Sequence, residues 1–134
     1  MRRLVLLACL VLLAAGCGGS SSSGLANEGG GVSRNVPSWI RSEHLPPGAV
    51  PGAKLFAVSG CTACHTYNGS GSEDLGAPDL THIGLRNLGI AFQIAHLKCP
   101  SCVNPGSPMP TFASMGAKRL RQLAIFLEAS KGTH

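Results

Sequence analysis

An all-α domain is the fold class that the sequence predicts for residues 50–134 of its 134 residues. Three segments carry helix signals, and no segment alternates apolar and polar residues in the way that a half-buried strand requires. Glycine (18) and proline (9) are abundant, so long loops are expected between the helices. The chain has only one Trp, one Tyr and four Phe, too few to fill the core of a small domain with side chains alone.

Each predicted helix has its own start or stop signal. The first is predicted over 51–60, because a proline in the first turn lacks only an N–H that would be unpaired anyway. The second is predicted over 87–97, and Pro100 closes it. The third is predicted over 117–130, with Gly132 as a stop signal. Its apolar face consists of Leu120, Leu123, Ala124 and Leu127.

The N-terminal segment has the layout of an export signal. Arg2 and Arg3 precede an apolar run over 4–15, which is too short to span a bilayer but suits a signal peptide. The following L-L-A-A-G-C, which ends at Cys17, resembles the lipobox of bacterial lipoproteins. Residues 1–16 are therefore expected to be a lipoprotein signal peptide, and Cys17 the lipidated residue. The alternative is an ordinary secretory leader that ends beside a chance cysteine.

Residues 17–49 are predicted to be a flexible linker, since they begin with a Gly/Ser spacer and remain rich in Gly, Pro and Ser. The folded domain then covers 50–134. This layout predicts an extracytoplasmic protein that is lipid-anchored to a bacterial membrane, on its periplasmic or outer face.

The net charge of +5 does not indicate nucleic-acid binding. Arg2 and Arg3 would leave with the leader, and no basic patch is interleaved with aromatic residues. Nucleic acid is therefore excluded from the expected partners.

Cys61-Thr62-Ala63-Cys64-His65 is a C-x-x-C-H motif, the attachment signature of c-type haem. Two thiols one helical turn apart can each form a thioether with the haem, and the next residue brings an imidazole to the iron. A redox dithiol would need a strand–helix unit, and half of a zinc site would need a second ligand pair at zinc-finger spacing; the sequence offers neither. One covalently bound haem c per chain is expected, and it would supply the apolar bulk that the core lacks.

Met109 is the predicted second axial ligand of the iron. It stands between Pro108 and Pro110, which restrict the backbone on both sides. Methionine raises the reduction potential relative to a second histidine. The other candidates are His82, His96, Met115 and His134.

Several segments, in order, resemble the small class I cytochromes c. G-A-K-L-F at 52–56, ahead of the C-x-x-C-H motif, is similar to that family's N-terminal helix, with Phe56 facing its C-terminal partner. Residues 76–80 (G-A-P-D-L) are similar to its G-P-x-L segment. Residues 78–84 and 104–110 look most like the cytochrome domain fused to subunit II of some haem–copper oxidases, although the chain lacks that subunit's copper-site cysteines and membrane span.

The resemblance implies a class I cytochrome c fold, with three or more helices wrapped around one haem. It also implies that the Pro78 carbonyl accepts a hydrogen bond from His65 and that Leu80 lines the haem. Arg86 and His82 are candidates to hydrogen-bond the haem propionates.

Cys99 and Cys102 remain after the haem motif is assigned. In an oxidising compartment a local disulfide is expected, and its short loop would stiffen the turn before Met109. The alternatives are a redox-active dithiol or a thiol that meets a partner.

The predicted function is electron transfer between respiratory-chain proteins, with no catalysis of its own. The expected donor and acceptor are redox proteins such as a terminal oxidase or a quinol–cytochrome c reductase, with the membrane contacted through the lipid anchor. The alternatives are a fixed cytochrome subunit of a larger oxidase, reductase or dehydrogenase, and a haem sensor or peroxidase with an open iron.

Overall fold

The computed structural model describes residues 37–38 and 44–132, and this part of the chain contains four α-helices. They are α1 (Val50–Val58), α2 (Ile90–Lys98), the short α3 (Pro100–Val103) and α4 (Gly116–Ala129). Turns of 3-10 helix lie at Pro47–Ala49, Cys61–Ala63, Asp74–Gly76, Ile83–Arg86 and Ala113–Met115. The strands are β1 (Thr66–Tyr67) and β2 (Ser70–Gly71), paired antiparallel with Tyr67 opposite Ser70. The predicted all-α class is confirmed.

Several sequence predictions concern residues outside the described part of the chain. These are the signal peptide (1–16), the lipidation candidate Cys17, most of the linker (17–49) and His134. Within the described part, no helix has both the length and the apolar character needed to cross a membrane.

The three predicted helices are present, with one boundary clearly displaced. Helix α2 begins at Ile90 rather than 87, because Asn87 (φ 50°) and Gly89 (φ 85°) adopt positive φ angles that a right-handed helix does not admit. Pro100 was expected to close α2, and it also opens α3, where its missing N–H is tolerated.

The first and last of these helices, α1 and α4, cross at a glycine. Gly52 is buried, and a Cβ atom there would collide with the Gln122 carbonyl oxygen and with Phe126 Cβ. The backbones approach this closely only because Gly52 has no side chain. Leu45 and Ala49, which precede the predicted domain boundary at 50, are also buried in the core.

Three aromatic rings fill the core beside this crossing. Phe56, Tyr67 and Phe126 are all buried, and their ring centroids lie 5.2–5.4 Å apart. The tilted pairs bury large apolar areas in favourable geometry. As the resemblance implied, Phe56 faces the C-terminal helix.

A buried hydroxyl at the end of α4 joins three parts of the chain. Ser130 Oγ accepts a hydrogen bond from Tyr67 Oη (2.9 Å) and donates one to the Phe126 carbonyl (2.8 Å). The Ser130 carbonyl accepts from the Gly84 N–H (2.7 Å). The turn Ile83–Arg86 is thereby held against α4, and it forms part of the cavity described next.

Candidate haem-binding cavity

A mostly apolar cavity of about 500 Å³ lies between the helices and the long loops. Seven residues predicted to contact or ligate the cofactor line it: Cys61, Cys64, His65, Pro78, Leu80, Arg86 and Met109. Apolar side chains from the four helices complete the wall, among them Phe56, Leu97, Val103 and Leu123. Such a cavity suits a large flat apolar group.

The attachment motif follows α1 through a sharp change of direction. Gly60 takes a left-handed conformation (φ 79°), and the turn Cys61–Ala63 follows, closed by a hydrogen bond from the His65 N–H to the Cys61 carbonyl (3.0 Å). The thiols of Cys61 and Cys64 are free and half-buried. Burial raises the pKa of the Cys61 thiol to about 11, so it stays protonated at neutral pH.

The His65 imidazole is oriented by a backbone carbonyl. Its Nδ1 lies 2.8 Å from the Pro78 carbonyl oxygen. A carbonyl can only accept, so Nδ1 carries the proton and Nε2 keeps the lone pair with which an imidazole binds a metal. Such an outer hydrogen bond also makes the ligating nitrogen more basic. The resemblance implied this contact, and the residues present fit a haem.

Asp79 anchors the loop that supplies this carbonyl. Its carboxylate accepts from Thr66 Oγ1 (2.8 Å) and from the Thr81 N–H (2.6 Å). The adjacent Leu80 N–H donates to the Thr66 carbonyl (2.9 Å). Burial raises the pKa of Asp79, but hydrogen bonds from Thr81 and Thr66 and the charge of His82 outweigh it, and the pKa lies below its ordinary value.

Sequence reasoning missed this role of Asp79. Aspartate accepting from the N–H two residues later is a common turn motif, so the signal was present in Asp79-Leu80-Thr81.

Met109 lies on a segment that hydrogen bonds fasten to the end of α2. Its N–H donates to Ser107 Oγ (3.3 Å), and Pro108 and Pro110 flank it. Just beyond it, two hydrogen bonds reach α2: Thr111 Oγ1 to the Lys98 carbonyl (2.6 Å) and the Phe112 N–H to the Leu97 carbonyl (2.8 Å).

The other candidates for the second ligand separate by position. His96 lines the cavity, whereas His82 is exposed and lies outside its lining. A role for His82 as a ligand or as a partner of the propionates stays a prediction. Met115 also lies outside the lining and packs against the core. Burial lowers the pKa of His96, and the charge of His65 lowers it further.

Cys99 and Cys102 form a disulfide, with Cα atoms 5.2 Å apart. The bridge encloses the start of α3, and the next residues, Val103 and Asn104, line the cavity. The bridge therefore lies between α2 and the Met109 segment.

Gln93 is a further cavity residue that the sequence did not reveal. It is only 5% exposed, lines the cavity, and donates from Nε2 to Glu128 Oε1 (2.8 Å). This bond ties α2 to α4. A single glutamine inside an apolar helix pattern gives no signal of such a role.

Two half-buried thiols one turn apart, beside an imidazole with its lone pair directed away from its anchor, suit a protein that attaches haem covalently. A family model for cytochrome c matches residues 49–130, and the chain belongs to the cytochrome c family. It is a c-type cytochrome with covalently bound haem c, of a family that typically transfers electrons. A comparison with the curated proteins found no match to this chain.

Proposed function

We propose that this cytochrome is an extracytoplasmic, lipid-anchored carrier of single electrons between respiratory-chain proteins, with His65 and Met109 as the axial ligands. Cys61 and Cys64 would hold the haem through thioethers, and Cys17 would carry the lipid. The observation that most supports the ligand assignment is the 2.8 Å contact between His65 Nδ1 and the Pro78 carbonyl, in a cavity that Met109 also lines.

The haem supplies an iron that alternates between the ferric and ferrous states. The task of the protein is to keep both ligands in place through that change. The Pro78 carbonyl fixes the imidazole ring, and two prolines restrict the backbone at Met109. Leu80 and the other apolar side chains of the wall would exclude water, and Arg86, which also lines the cavity, would pair with a propionate.

The cellular arrangement is proposed from the sequence. A lipid at Cys17 followed by a Gly/Ser spacer would leave the folded domain free to move over a membrane surface. A tethered carrier of this kind could reach both a quinol–cytochrome c reductase and a terminal oxidase.

The ligand assignment is tested by optical spectra of the protein after haem attachment. We expect the weak long-wavelength band of methionine-ligated ferric haem, and its loss in Met109→Ala. Met115→Ala is the matched control, because Met115 packs against the core outside the cavity lining. Absence of the band from the unmutated protein, together with ready binding of carbon monoxide, would favour a haem sensor or enzyme over an electron carrier.

The anchor is tested separately by Cys17→Ser in the full chain. We expect the unmutated protein in the membrane fraction with an acylated N-terminal cysteine by mass spectrometry, and the variant in the soluble fraction. Equal partition of both proteins would refute the lipid anchor. Retention in a purified respiratory complex after detergent washing would favour the fixed subunit over the mobile carrier.

A further inference from the structure

The cavity wall holds a second imidazole. Among the described residues, His65 and His96 are the histidines that line the cavity, while His44 and His82 lie outside the lining. His65 is assigned as an axial ligand. His96 carries the same metal-binding group, and the proposed function gives it no role.

His96 and Met109 line the cavity from two segments that are hydrogen-bonded to each other. His96 lies in the last turn of α2, and that turn is fastened to the chain two and three residues beyond Met109. The fastening bonds run from Thr111 Oγ1 to the Lys98 carbonyl (2.6 Å) and from the Phe112 N–H to the Leu97 carbonyl (2.8 Å).

The ring nitrogens of His96 are not engaged elsewhere. The imidazole is half-buried and packs near the Phe92 ring, with centroids 6.0 Å apart, and it makes no hydrogen bond to another described residue. A structural histidine in a protein interior normally has a hydrogen-bond partner. A nitrogen lone pair facing a haem cavity without a partner is available to bind iron.

We propose that His96 is a reserve axial ligand, whose imidazole binds the iron when the Met109 sulfur is lost. This inference rests on the proposed function, since it takes Met109 as the ligand of the intact protein. Replacement of a thioether by an imidazole keeps the iron six-coordinate and lowers its reduction potential. A peroxide that transfers one oxygen atom to the Met109 sulfur, and is itself reduced to water or an alcohol, would make this side chain a polar sulfoxide. With His96 as the replacement ligand, the haem would keep two protein ligands and have a lower potential.

The same contacts explain why His96 is the second choice. Among the described residues, no carbonyl orients its ring as Pro78 orients His65, so ligation must fix a rotatable side chain and lacks the gain in basicity. The prolines on both sides of Met109, in contrast, already restrict its backbone, so its ligation loses less conformational entropy.

The test compares ferric spectra, electron paramagnetic resonance and carbon monoxide binding in three variants of the haem-loaded protein. They are Met109→Ala, Met109→Ala/His96→Gln and the control Met109→Ala/His82→Gln. We expect Met109→Ala to lose the methionine band yet remain low-spin, with the resonance of a bis-imidazole haem, and to resist carbon monoxide. The His96 double variant should become high-spin and bind carbon monoxide readily, whereas the His82 double variant should behave as Met109→Ala.

Two results would overturn the proposal. One is a Met109→Ala protein that is already high-spin and as open to carbon monoxide as the His96 double variant. The other is a reversal between the two double variants, in which the His96 double variant stays low-spin or the His82 double variant becomes high-spin and binds carbon monoxide. The resonance shows whether an imidazole has replaced the thioether in Met109→Ala itself, so a missing bis-imidazole signal overturns the proposal even if a double variant fails to fold. Neither result affects the methionine band of the unmutated protein, on which the proposed function depends.

Discussion

The histidine side and the methionine side of the cavity are held in different ways. On the histidine side, a hydrogen bond reaches the ligand's own ring, and Asp79 supports the loop that provides it. On the methionine side, the restraints act on the backbone, through two prolines and a disulfide. An imidazole has an N–H that can be anchored, whereas a thioether has none. A methionine ligand must therefore be directed by its chain.

Removing the ligands should break the comparison most strongly. His65→Ala removes the group that the anchored side exists to orient, and we expect almost complete loss of the low-spin haem protein. Met109→Ala should keep covalent haem at close to the unmutated yield, because the attachment segment is unaffected. Haem-stained gels and optical spectra measure both. Equal yields for the two variants would contradict the asymmetry.

Loosening the histidine side indirectly should have the next largest effect. Asp79→Ala removes the acceptor for Thr66 Oγ1 and the Thr81 N–H. We expect the free energy of unfolding to fall by about 1–2 kcal/mol, a range that allows for the solvent exposure of these bonds. The methionine band should persist. Urea unfolding monitored by circular dichroism measures the loss, and an unchanged midpoint would show that the loop needs no such support.

Opening the Cys99–Cys102 bridge should loosen the methionine side. Because the bridge closes a very short loop, Cys99→Ser/Cys102→Ser should cost no more than about 2 kcal/mol of unfolding free energy. The methionine band should disappear at a lower temperature than in the unmutated protein, while the low-spin spectrum remains. A methionine band that disappears at the same temperature in both proteins would show that the disulfide does not restrain the Met109 segment.

Relaxing the backbone at Met109 should have a smaller effect. Pro110→Ala increases the freedom of the unfolded chain and should cost about 0.4–1 kcal/mol. The corresponding change in the loop should weaken the methionine band on warming. Pro47→Ala is the control, since this proline lies in a turn remote from Met109 in the chain. An equal effect on the band in both variants would remove the special role of Pro110.

Acidification should have the smallest effect of these changes, and it acts on the histidine side through Asp79. The pKa of Asp79 is lower in the folded protein than its ordinary value of 3.8. Its contribution to stability is therefore complete above that value and is lost as the pH falls through the folded pKa. The difference in unfolding free energy between the unmutated protein and Asp79→Asn should be constant near neutral pH and shrink below about pH 4. A difference that grew on acidification would reverse the sign of the argument.

The sequence predicted the elements whose signals are local. A proline in the first turn located α1, helical spacing and stop signals located α2 and α4, and the C-x-x-C-H spacing located the attachment residues. The Pro-Met-Pro segment directed attention to Met109, which does line the cavity. Its ligation stays a prediction.

What could not be predicted depends on register and on contacts distant in sequence. The sequence does not distinguish His82 from His96 as a cavity residue. His96 lines the cavity because of the face of α2 that it occupies, whereas the chain before α2 places His82 outside the lining. The β1–β2 hairpin is too short for an alternating pattern, although Asn68-Gly69, both with positive φ, is a recognised turn signal. Gly52 falls inside the first predicted helix, but nothing local in the sequence shows that α4 packs against it.

The crossing of α1 and α4 sets the order in which the molecule can be assembled. Gly52 and Gln122 are about 70 residues apart, and the ring cluster needs Phe126 from α4. Contacts so distant in sequence form late, since the intervening chain must first be closed into a loop. A chain made from its N-terminus therefore presents Cys61 and Cys64 long before the helix that closes over them exists. The haem can therefore be attached to these thiols while the chain is still open, before α4 packs against α1.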